Sequence, residues 1–133
     1  MARADACGGE CLVDALGAPL AGAGALRVAL ILDRIRLPQA LFPDLTETIF
    51  AEREATIYAL YQSRYTITVV RTEESIAAAL ADLRTCELLR LTPPAAVLRV
   101  VRTAYAWRNR PVDTRVRQIA TRRHHYRSVL GQR

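Results

Sequence analysis

The run Val112-Asp-Thr-Arg-Val-Arg-Gln-Ile119 alternates strictly. A side-chain period of two puts Asp113, Arg115 and Arg117 on one face of a strand and Val112, Thr114 and Val116 on the other. One carboxylate beside two guanidinium groups suits a polar anionic ligand, the acid accepting from a hydroxyl and the arginines donating paired bonds to phosphate or carboxylate. The competing reading is a solvated strand face whose rim ion pairs are worth under about 1 kcal/mol each. Spacing alone leaves both open.

Other reactive residue types are arranged less productively. His124-His125 follows Arg122-Arg123, but neighbouring residues of a strand point to opposite faces, and the arginines would repel a cation. Cys7-Gly-Gly-Glu-Cys11 lacks the second Cys or His pair of a structural zinc site. No Gly-x-Ser-x-Gly, Gly-rich phosphate loop, His-Glu-x-x-His or paired catalytic carboxylates occur. The expectation is therefore no enzyme, no metal and no cofactor.

The elements that must hold these residues read as follows. Leu26 to Leu37 is β-branched and aliphatic, a strand that carries Asp33 and stops at Pro38. Phe42-Pro-Asp-Leu45 is a turn, and Thr46 to Ala55 shows no clear period. Thr56 can cap a helix running to Ser63, with Ile57, Leu60 and Tyr61 on one face. Tyr65 to Arg71 has strand composition. Thr72 to Arg84 is Ala-rich and capped like a helix, although a helical stripe persists only from about Ala81 to Leu89, before Thr92-Pro-Pro94. Ala96 to Trp107 is a long strand, Arg108-Asn-Arg-Pro111 a hairpin turn, and His125 to Leu130 a candidate final strand. Trp107 reads as a core or rim aromatic. The sum is an antiparallel α+β domain, with helices segregated on one side of a sheet.

With 133 residues and 51% hydrophobic composition, the chain is one globular domain. Its first 25 residues, rich in Ala and Gly, read as poorly ordered, which leaves residues 26–133 as the domain. The N-terminus lacks a secretory pattern, no apolar run is long enough to span a bilayer, and three cysteines make a disulfide framework improbable, so a reduced, cytoplasmic protein without membrane contact is expected. All 19 cationic residues are Arg. Residues 1–98 hold nine of them against twelve acids, whereas residues 99–133 hold ten against Asp113 alone. Such a basic third could track nucleic acid or line an anion pocket.

The order and spacing of these features resemble the UTRA domain, the effector-binding module of GntR/HutC-type bacterial transcription regulators. The matching pieces are Asp33 with Leu37-Pro38, Phe42-Pro-Asp-Leu45, Thr56-Ile-Tyr58, Glu74-Ser-Ile76, Glu87-Leu-Leu89, Leu98-Arg-Val-Val-Arg102 and Asn109-Arg-Pro-Val-Asp113. The resemblance implies a chorismate lyase-like α+β fold and carries a strand through Glu74 to about Ala79, against the helical composition there. It also implies a small, often anionic metabolite bound beside the sheet, a homodimer, and control of operator DNA through a winged-helix domain absent from this chain.

Carried over by position, Asp33 matches the strand acid that contacts ligand polar groups. Thr56 matches the helix-opening Ser, able to hold an anion at the positive helix end. Asp113 matches the Glu of Gly-x-Pro-Val-Glu, which reads hydroxyl or amide groups, and Arg71 and Arg102 lie on pocket-side strands. The family's Arg-x-Arg pair has no counterpart in Ala18 to Gly24, and Ile119 stands where sugar-phosphate binders tend to have Tyr. Arg115 and Arg117 are expected to supply the missing clamp. The rival functions are a small chorismate lyase-like enzyme, with Arg102 and Asp33 on the ligand, and direct nucleic-acid binding by the basic third.

Overall fold

The computed structural model describes residues 9–13 and 30–131, with side chains from residue 30 onward. Five strands form one antiparallel sheet: β1 (Gly9–Val13), β2 (Ile31–Arg36), β3 (Arg71–Leu80), β4 (Ala96–Ala106) and β5 (Arg110–Ala120). Their spatial order is β1-β2-β5-β4-β3, so the three strands that carry two or more arginines lie inside the sheet. Three helices accompany it: α1 (Glu47–Ala51), α2 (Ile57–Tyr65) and α3 (Leu83–Leu89).

Several expectations change. Gly9–Val13, inside the segment read as poorly ordered, pairs along β2 from Gly9↔Ile35 to Val13↔Ile31. The rest of that segment, and Leu26 to Ala29 of the expected first strand, lie outside the described residues. Tyr65 to Val70 is not a strand, and only Arg71 of that stretch joins one, as the first residue of β3: α2 continues to Tyr65, and Thr66 closes it in the left-handed region at φ 56°, its N–H returning to the Gln62 and Tyr61 carbonyls. Tyr65 stays helical because its ring packs edge-on to Phe42 at 5.0 Å. Thr72 to Leu80, helical by composition, is strand, as the family pattern implies. Its ten-residue register with β4 supplies a ladder that outweighs alanine's helix preference. His125 to Leu130 is exposed and forms no strand.

The β4–β5 hairpin turns at Trp107 to Arg110, one residue earlier than expected. Arg108 and Asn109 both have positive φ, and the Arg110 N–H bonds to the Trp107 carbonyl, the mirror-image turn that suits strand twist. Trp107 sits 73% exposed at the tip, a rim aromatic. The register skips beyond it, Ala104 facing Asp113 while Tyr105 faces Pro111. Val112 is thus the extra residue of a bulge. Instead of pointing away from Asp113, it joins the cluster of Ile35, Phe42, Ile57 and Tyr61.

Helices occupy both faces of the sheet, not one. Helices α1 and α2 cover the face bearing Ile35, through Phe50, Tyr58 and Tyr61. Helix α3 covers the other face, where Leu89 packs on Leu32 and Ala120 and Thr85 bonds to Gln118. These are called the α2 face and the α3 face below. Each fully buried aliphatic side chain contributes roughly 1.5–3 kcal/mol.

Candidate functional site

Register builds a charged ladder across the α2 face. Asp33 of β2 faces Arg117 of β5, Ile35 faces Arg115, Arg115 faces Arg102 of β4, and Arg102 faces Glu74 of β3. Because directly opposed residues share a face, Asp113, Arg115, Arg117, Arg102 and Asp33 converge on one surface. The alternation expected from sequence holds for these residues and for Thr114 and Val116, which turn to the α3 face.

The ladder is closed by ion pairs. Arg117 Nη2 donates to Asp33 Oδ2 at 2.8 Å. Arg115 donates from Nε at 3.1 Å and from Nη2 at 2.9 Å to Asp113 Oδ2, and Arg102 pairs with Glu74. Asp113 and Arg115 are 2% and 5% exposed, so this pair differs in kind from a rim contact. Helix α2 adds the third dimension. The Tyr61 hydroxyl donates to Asp113 Oδ2 at 2.8 Å, and the Arg115 guanidinium stacks 4.8 Å from the centre of the Tyr58 ring.

These contacts move protons predictably. Burial, then the Asp113 charge, push the Tyr61 hydroxyl far above the usual tyrosine range. Burial opposes the charge on Arg115, but Asp113 and Tyr61 outweigh it and hold the guanidinium protonated. Arg102 behaves likewise, burial being outweighed by Glu74 and the Tyr58 hydroxyl.

Two oxygens stand out. Asp33 Oδ1 and Asp113 Oδ1 are buried, and neither receives a hydrogen bond. A buried carboxylate oxygen without a donor costs about 1–3 kcal/mol or more, so each is a waiting acceptor for a ligand hydroxyl, an amine or a water.

The remaining candidates fall elsewhere. Thr56 caps α2, its hydroxyl oxygen accepting from the Ala59 N–H at 3.2 Å, and its proton remains available to donate. It is exposed and lies two residues before Tyr58. Arg71 does not join the group. It faces Tyr105 on the α3 side of the sheet, stacks on that ring at 4.1 Å, pairs with Glu73 and donates to Asn109 at 3.1 Å. Sequence reasoning left Tyr58, Tyr61 and Glu74 out of the site. The signal lay in the i, i+3 spacing of two tyrosines on the buried side of α2, since a phenol buried there needs a polar partner. Among the described residues, no group of three His, Cys, Asp or Glu is arranged to hold a metal ion.

The same antiparallel α+β architecture occurs in effector domains of transcription regulators. The structure is similar to the ligand-binding domain of a proposed GntR-family transcriptional regulator from Bordetella bronchiseptica, with a TM-score of 0.74 and 28% identity over 80% of this chain. That match spans 65% of the Bordetella structure, under two thirds of its length. The effector domain of PhnF from Mycobacterium smegmatis shares the fold at a TM-score of 0.70 and 23% identity, over 98% of this chain and 87% of that one. The C-terminal domain of the histidine utilization repressor from Pseudomonas syringae pv. tomato shares it at 0.62 and 18%, over 79% and 71%. Comparison with curated protein sequences finds no relative. The family model of the UTRA domain matches residues 25–125, and the chain belongs to that family. Its fold is chorismate lyase-like, and it is an effector-binding regulatory domain of the GntR-regulator kind.

Proposed function

We propose that this chain is the sensing half of a HutC-type regulator, without catalytic activity of its own. Its effector is a small anionic metabolite that also carries hydroxyl or amino donors. The observation that carries this reading is the pair of buried, donor-free oxygens, Asp33 Oδ1 and Asp113 Oδ1, set among Arg102, Arg115 and Arg117. Donors on the ligand would satisfy the two acids, while spare guanidinium N–H groups and the Thr56 hydroxyl would take its anionic end. Arg71, on the opposite side of the sheet, has no part in this.

Effector binding is proposed to act on a winged-helix DNA-binding domain outside these residues, in a cytoplasmic homodimer. Among the described residues no helix is long and apolar enough to cross a membrane. The chorismate lyase-like alternative would place a carboxylated substrate on Arg102 and Asp33.

A thermal-shift screen of sugar phosphates, hydroxycarboxylates and amino acids tests the proposal. The best stabiliser, titrated against Asp33→Asn and Arg117→Ala, should lose about tenfold or more in affinity with each, one charge-assisted bond per variant. Unchanged affinity in both variants would remove the effector from this face, and conversion of the ligand to a product would favour the enzyme.

A further inference from the structure

The α3 face carries arginines of its own. Arg34 and Arg36 of β2 and Arg99 of β4 border a cleft of about 420 Å³, with Thr114 and Gln118 of β5 on its floor and Asp82 at its rim. None of the strand residues among them belongs to the ladder of the α2 face, because alternation along β2, β4 and β5 turns them to the other side.

Two of the charges here are not closed. Among the described residues Arg36 and Arg99 form no ion pair, whereas Arg102, Arg115 and Arg117 each hold an acid. The acid at the rim is already engaged, since Asp82 accepts the Thr85 N–H at 2.7 Å as the cap of α3. That hydrogen bond, first among the causes, lowers its pKa and keeps it ionised. Arg34 lies near enough for its charge to act on Asp82, so the unmatched charge of the cleft is that of Arg36 and Arg99. Strands β2 and β4 flank β5, and Arg36 faces Thr114 while Arg99 faces Gln118 four residues along it, so the two approach from opposite sides with backbones roughly 16 Å apart. A single monovalent anion cannot answer charges so placed. One with several charges along its length can, each guanidinium fork taking one group.

We propose that the α3-face cleft binds a small multivalent anion of the condensed-phosphate or polycarboxylate kind, at a site separate from the effector ladder. The site stands independently of the effector reading, since it shares no side chain with it. Isothermal titration of the full 133-residue chain with sodium tripolyphosphate, at fixed ionic strength, tests the site. The expected result is one saturable site, weakened about tenfold by Arg36→Gln and again by Arg99→Gln. Arg64→Gln, an exposed arginine of α2 that pairs with Asp44 away from both sites, should leave this binding unchanged. Both cleft arginines are exposed, and circular dichroism melts should show the variants folded as the parent. Absence of saturable binding, equal affinity in the double variant, or an equal loss on Arg64→Gln would overturn the proposal.

Discussion

The two faces of the central sheet draw on the same strands and use arginine in opposite ways. On the α2 face every ladder arginine is matched by an acid from another position, the pairs are partly or fully buried, and a tyrosine hydroxyl completes the network. On the α3 face the cleft arginines are exposed and two of them stay unmatched among the described residues. Alternation along β2 and β5 separates these regimes by a single residue, as with Asp33 and Arg34. The lesson concerns net charge. The basic C-terminal third looked like one feature in sequence, but folding matches three of its ten arginines with acids, two of them from outside that third.

Breaking the closed face should cost most. Asp113→Ala leaves Arg115 buried without its acid, and urea unfolding should show a loss of about 3–5 kcal/mol. A loss under 1 kcal/mol would mean that solvent reaches the pair and the two faces differ less than described. Tyr61→Phe removes one buried bond to a charged acceptor and should cost about 1.5–3 kcal/mol. It also has a pH signature. The folded pKa of Tyr61 is raised, so its contribution is fully present below about pH 10 and lost as pH rises beyond. Chemical unfolding at alkaline pH should therefore show a steeper fall for the parent than for Tyr61→Phe.

The open face should prove forgiving. Asp82→Ala removes the α3 cap and should cost about 1 kcal/mol at neutral pH. Because the Asp82 pKa is lowered, that difference should vanish as the pH falls through its folded value. The double change Arg36→Gln with Arg99→Gln touches no ion pair among the described residues and should stay within about 0.5 kcal/mol. A large loss there would show these arginines to be structural and would erase the contrast.

Much of the site was legible because it rests on short-range rules. Period-two alternation placed Asp113, Arg115 and Arg117 together, and the capping preference of Thr56 located α2. What escaped depends on partners distant in sequence. The helical composition of Thr72 to Leu80 gave way to pairing with β4, and the position of Val112 depends on a bulge set by the hairpin. Tyr58 and Tyr61 read as ordinary helix-face aromatics, since their roles exist only once β5, more than 50 residues on, lies beneath them. Arg71 reads as a pocket residue until register shows which way β3 presents it.

The most direct measurement is magnetisation transfer from the bound effector to tyrosine rings, with the tyrosines isotope-labelled and the ligand taken from the stabilisation screen. Tyr58 and Tyr61 report the α2 face, and Tyr105 reports the other. Signal on Tyr58 and Tyr61, with Tyr105 silent, is the result expected if the buried ladder is the effector site. Transfer to Tyr105 alone would place the effector on the α3 face and contradict the account.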